Sequence, residues 1–170
     1  MATVGEAPTL FLRKATGLVK GWSIHNAAKI LKKEGLKNFY IDAGGDVEVC
    51  GQHSERKLWK IGIRNPFSQN KSDIVKVLLL SNIGIATSGT YIRGQHIYNP
   101  KEKNAIIAEI VSLSVLGPNV YEADRFATAA FAMGKEGIHF IERLPGFEGY
   151  MIDANGIATM TTGFTKYVSK

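Results

Sequence analysis

The 170-residue chain has a single cysteine, Cys50. No internal disulfide can form, so the fold does not rely on an oxidising compartment. With one cysteine and four scattered histidines there is no zinc-ligand spacing either. Long apolar runs are missing: the stretch Val77 to Leu80 with its flanks falls far short of the ~20 residues that span a bilayer. The N-terminus, Met1-Ala-Thr-Val-Gly-Glu-Ala-Pro8, lacks the basic and apolar regions of a signal peptide, so a cytoplasmic location is the default expectation. Two catalytic patterns are absent as well. No G-x-x-x-x-G-K-[ST] loop occurs, and the segment around Ser88 does not match the G-x-S-x-G nucleophile elbow.

What is present is the balance of one soluble globular domain, residues 1–170, with 45% hydrophobic and 21% charged residues. At this length folding buries roughly 70% of the surface exposed by the unfolded chain, enough for a core without staples. Glycine is over-used, 18 residues against a typical ~7% of a chain. Lysine and arginine outnumber acids 21 to 15, giving a net charge of +6 and favouring anionic partners, phosphates first. Lys29, Lys32, Lys33 and Lys37 fall at helical spacing and read as a solvated face, so nucleic acid is not the expected partner.

Periodicity predicts a helix from about Lys20 to Lys33 on the stripe Ile24, Ala27, Ala28 and Leu31, ended by Gly35. Strands are predicted at 38–41, 47–50, 59–64, 74–80, 83–87, 106–115, 149–152 and 157–161. A second helix begins at Asn119, an N-cap with Glu122 as its reciprocal partner, and carries the stripe Ala123, Phe126, Ala127, Ala130 and Phe131 up to Gly134. A third, shorter helix precedes Pro145. The uneven mixture predicts an α+β fold, a mixed and largely antiparallel sheet with a few packing helices.

Four segments could carry chemistry. Asp124 and Thr128 lie four apart on the second helix, so both face one way and could offer a carboxylate and a hydroxyl to a hard cation. The spacing serves equally well for a dipole-complementing acid and a helix hydroxyl bonded to its own backbone. Thr16-Gly-Leu-Val-Lys20-Gly-Trp22 places glycines and a lysine at a helix entry, where a phosphate can approach, or forms only a tight loop with an exposed lysine. Asp42-Ala-Gly-Gly-Asp46 is a turn that brings amides or carboxylates to a ligand, or merely a glycine bulge. Thr87, Ser88, Gly89, Arg93 and His96 gather hydroxyls, a cation and an imidazole within ten residues, and His96 is the histidine most suited to act; His25, His53 and His139 read as surface or packing residues.

Taken in order, Gly17-Leu-Val-Lys-Gly-Trp22, Asp42-Ala-Gly-Gly-Asp46, Trp59-Lys-Ile-Gly-Ile-Arg64, Ala86-Thr-Ser-Gly-Thr-Tyr91, His96-Ile-Tyr-Asn-Pro100 and Glu122-Ala-Asp-Arg-Phe-Ala-Thr128 resemble the ApbE family, FAD:protein FMN transferases. The resemblance runs from about Leu12 to Asp153. It implies magnesium-dependent transfer of FMN from FAD to a Ser or Thr hydroxyl of an acceptor protein, with release of AMP. It also implies Mg²⁺ held by Asp124, Thr128 and the main-chain oxygen of Gly17, flavin-nucleotide contacts from Lys20 and Tyr98, a pocket shaped by Thr87, Ser88 and Gly89, and His96 and Asp124 as the catalytic pair. The chain departs from the family pattern at Lys14, Ala15-Thr16 and Asn99, and the expectation is a single ApbE-like domain without the family's N-terminal portion. The alternative expectations are a flavin-nucleotide-binding homologue without transfer, or a subunit whose site is completed by a second copy or a partner chain.

Overall fold

The computed structural model describes residues 9–70, 72–90, 97 and 107–169, with 9–17 described as backbone alone. Six strands form one sheet in the order β1-β2-β5-β6-β7-β8, with every neighbouring pair antiparallel. They are β1 Phe39–Ala43, β2 Asp46–Cys50, β5 Ile83–Gly89, β6 Ile110–Gly117, β7 Glu148–Asp153 and β8 Ala158–Met160. β3 Trp59–Arg64 and β4 Ile74–Leu80 pair with each other as a separate ribbon. The helices are α1 Thr9–Lys33, α2 Val120–Phe131 and α3 Glu136–Glu142, and a short 3-10 turn, Phe164–Tyr167, closes the chain. This is the expected α+β architecture.

Strand alternation divides most of the interior into two cores, beside a smaller cluster in which Ala28 of α1 meets Phe39 and Cys50. Ala86, Leu113, Val115 and Met151 turn to one face and pack under Ala123, Ala127, Ala130 and Phe131 of α2 and Ile138 and Ile141 of α3. Their sequence neighbours Ile85, Leu116, Tyr150 and Ile152 turn to the other, with Val47 and Val49, and meet Ile63, Leu78 and Leu80 of the ribbon and Phe164. Burial of both faces is what specifies register, because a slip of one residue would exchange the two sets.

The local signals around α2 hold in part. Asn119 Oδ1 accepts from the Glu122 N–H at 3.0 Å, the expected N-cap. Glu122 does not reach back to complete the box; its carboxylate pairs with Arg125 Nη1 at 3.3 Å, one turn on along the exposed face. The β1–β2 connection is a two-residue turn at Gly44 and Gly45, with φ of 65° and 93°, the left-handed pair that matches the twist of a hairpin.

The largest difference from expectation is α1. It begins at Thr9 rather than near Lys20 and runs through Gly17 and Gly21, so Gly17 sits within a helix and not in a turn before one. Two interior glycines cost a helix about 2 kcal/mol together. Packing offsets that cost, because Gly21 is where α1 touches α2: a Cβ there would stand 2.8 Å from both Cβ and Oδ2 of Asp124.

Candidate functional site

The site lies on the helix-covered face, where α1, the start of β2, the end of β5 and the first turns of α2 meet. The alternation of Asp46-Val-Glu-Val-Cys50 puts Val47 and Val49 in the second core. Asp46 and Glu48 therefore face the helices, both buried. Asp46 Oδ1 accepts the Thr87 N–H at 3.1 Å, and Oδ2 lies 2.7 Å from Lys20 Nζ. Apart from that ammonium, Oδ2 has no polar partner among the described residues. Burial pushes the Asp46 carboxyl up to about 6; the Lys20 charge opposes the shift, and the nearby Asp124 carboxylate adds to it.

Asp124, also buried, accepts the Gly21 N–H on Oδ2 at 3.0 Å. In a regular helix that N–H is aimed at the carbonyl four residues earlier, the Gly17 carbonyl. The Asp124 carboxylate is thus set against the turn of α1 that carries Gly17. One turn further along α2, Thr128 Oγ1 meets Ser88 Oγ at 3.4 Å, linking the helix to β5. Lys20 and Asp124 lie beside Asp46, Ser88 and Thr128 meet each other where β5 touches α2, and the carboxylates and hydroxyls among them are hard oxygen donors of the kind Mg²⁺ prefers. Among the described residues no three His, Cys, Asp or Glu side chains gather at metal-ligand positions.

Two expected contributors behave differently. The Thr87 side chain lies on the opposite face of the sheet, where its hydroxyl bonds Ser114 Oγ at 2.7 Å, so only its backbone N–H serves the site. The reason is alternation: Ser88 faces α2, and its neighbour must face away. Gly89 ends β5 opposite Ser112. His96 and Tyr98 lie outside the described residues.

Within the Asp42 to Asp46 segment the two carboxylates part company. Asp42 is exposed and accepts the Gly45 N–H at 3.0 Å within the turn, while Asp46 is the buried group at the centre of the site. The signal that separates them is the strand alternation beginning at Asp46. Glu48 carried no sequence signal of its own. It accepts the Val120 N–H at the start of α2 at 3.1 Å, contacts His25 Nδ1 at 3.1 and 3.2 Å, and lies 3.6 Å from Lys32 Nζ. Glu48 thereby braces α1 and α2 against β2, with an acid at the positive end of the α2 dipole.

The model of the ApbE family matches residues 14–151. The chain belongs to the ApbE family. Members similar to it include a protein named FAD:protein FMN transferase from Vibrio cholerae, 27% identical over 172 residues, covering 96% of this chain and 49% of the relative. Another of the same name from Escherichia coli is 26% identical over 159 residues, covering 89% of this chain and 45% of the relative. Among solved structures, the flavin transferase ApbE from Vibrio cholerae superposes with a TM-score of 0.74 at 26% identity, over 87% of this chain and 50% of that one. The ApbE protein from Thermotoga maritima shares the fold at a TM-score of 0.74 and 22% identity, over 91% of this chain and 52% of that one. The ApbE chain described here spans about half the length of the curated relatives it matches. Among its described residues no helix is long and apolar enough to cross a membrane.

Proposed function

We propose that this ApbE-family chain carries the metal and nucleotide site of an FAD:protein FMN transferase, moving FMN from FAD to a Ser or Thr hydroxyl of an acceptor protein and releasing AMP. The observation that carries the reading is the seating of the Asp124 carboxylate of α2 on the Gly21 N–H of α1, beside the Lys20–Asp46 ion pair. The donor set suits magnesium: Asp124, Thr128 and the Gly17 main-chain oxygen would hold it, and substrate phosphates and water would complete its shell. Bound there, the ion would neutralise charge developing on the pyrophosphate.

The chain's own residues do the rest. Lys20 presents an ammonium with three N–H donors, of which Asp46 engages one side, leaving others for a phosphate oxygen. Asp46 keeps that side chain from swinging into solvent, which lowers the ordering cost on binding. In the transfer the acceptor oxygen forms a bond to the FMN phosphorus as the bond to the AMP oxygen breaks, and the hydroxyl proton leaves. His96 takes that proton, and Tyr98 lines the flavin side; both assignments follow from the sequence motif.

Incubation with FAD, Mg²⁺ and a Ser/Thr acceptor tests the reading. Covalent flavin on the acceptor and stoichiometric AMP are expected, and neither product, where a full-length relative yields both, would overturn it. Asp124→Ala is expected to abolish the Mg²⁺ dependence of FAD binding. A second reading is flavin-nucleotide binding without transfer, which saturable FAD binding with no turnover would establish. If adding a separate polypeptide corresponding to the unmatched half of a relative restores transfer, the site is completed by a partner.

A further inference from the structure

On the face of the sheet opposite Asp46, a cleft of about 610 Å³ opens between the β1–β2 hairpin and β3. Its walls include Tyr40, Gly45, Val47, Trp59, Lys60 and Arg64. The Trp59 indole is pinned, its Nε1–H donating to the Cys50 carbonyl at 3.0 Å. Tyr40 tilts against it at 5.3 Å between ring centroids, and His53 meets it edge-on at 5.5 Å. A rigid, half-exposed aromatic wall of this kind offers contact area at low ordering cost.

The floor is unusual. β3 pairs with β4 along one edge, from Trp59 opposite Leu80 to Arg64 opposite Ile74, and no strand pairs with its other edge among the described residues. Unpaired N–H and C=O groups on such an edge accept an incoming strand. Alternation sends Ile61 and Ile63 toward the second core and leaves Lys60 and Arg64 on the other face of β3. Neither cation has an ion-pair partner among the described residues, whereas Lys57 is paired with Glu55 and the Asp42 carboxylate is engaged by the Gly45 N–H. The complementary occupant is an extended segment that alternates acidic residues, over Lys60 and Arg64, with apolar ones against Trp59 and Tyr40.

Gly45 of the β1–β2 turn lines the cleft, and its chain neighbour Asp46 pairs with Lys20 on the opposite face of the sheet. We propose that the edge of β3 left unpaired among the described residues docks an extended acidic segment of the acceptor protein by strand addition, with the modified hydroxyl carried on the residues that follow. The naming of this partner as the acceptor rests on the transferase reading.

The test is fluorescence anisotropy without FAD or Mg²⁺, using a labelled peptide of about ten residues in which glutamate alternates with valine and threonine, long enough to pair along a whole strand. Saturable binding is expected, weakened at least tenfold by alternate backbone N-methylation of the peptide and at least tenfold by Lys60→Glu with Arg64→Glu. Amide exchange is expected to slow along β3. Lys60 is exposed and Arg64 half-buried, and an unchanged unfolding midpoint confirms that the variant is folded. Absence of saturable binding overturns the proposal and leaves Lys60 and Arg64 as guards against edge-to-edge pairing. Equal binding of the N-methylated peptide, or protection confined to other strands, overturns it too. Peptide binding without flavin transfer upholds the docking edge and defeats the transferase reading; flavin transfer without peptide binding defeats the docking edge alone.

Discussion

Replacing Asp46 with asparagine isolates the electrostatics at the centre of the site. The carboxyl is buried, and its pKa rises from an ordinary 3.8 to about 6, chiefly because burial removes water from the charged form. The folded protein therefore binds this proton more tightly than the unfolded chain does. The stabilising contribution is complete below pH 3.8 and is lost as pH rises through about 6. At about 1.4 kcal/mol per pH unit, the difference between the two values amounts to about 3 kcal/mol. Asparagine keeps an oxygen for the Thr87 N–H and does not titrate. Urea unfolding of both proteins across the range from about pH 4 to about pH 8 should show Asp46→Asn gaining about 3 kcal/mol relative to wild type, with the change centred between pH 4 and 6. Lys20→Met should move the upper end of that transition to higher pH, since the ammonium is what holds the carboxyl down. A stability difference that does not vary with pH, or one in which the asparagine variant loses ground as pH rises, would refute the reasoning.

Other substitutions probe the supports of the site. Gly21→Ala places a Cβ 2.8 Å from the Asp124 side chain, so α1 must move off α2; a loss of about 1–3 kcal/mol in chemical denaturation is expected, together with weaker FAD binding. Asn119→Ala removes the cap that receives the Glu122 N–H and should cost about 1 kcal/mol, read as a lower unfolding midpoint with unchanged denaturant slope. Phe131→Ala empties a fully buried position beneath α2 and should cost about 3–5 kcal/mol.

The readable part of this protein is the part written in short range. The stripe of α2, its Asn119 cap, its end ahead of Gly134, the Gly44-Gly45 hairpin and the alternating strands all follow from interactions within a few residues. So does the placing of Asp124 and Thr128 on one side of α2, because a spacing of four puts both on one helical face whatever the helix packs against. The ordered motifs carried the family for the same reason: they are properties of the chain, not of its contacts. The tertiary structure alone decided which of these groups meet. The extension of α1 through Gly17 and Gly21 depends on the close approach of α2, which no local propensity encodes. The division of Asp42 from Asp46 and the turning away of the Thr87 hydroxyl depend on which sheet face is covered. The bracing of α2 by Glu48 joins residues 72 positions apart in the chain. The elevated Asp46 pKa exists only because burial, Lys20 and Asp124 act on one carboxylate together, and burial belongs to the assembled fold and not to any segment of it.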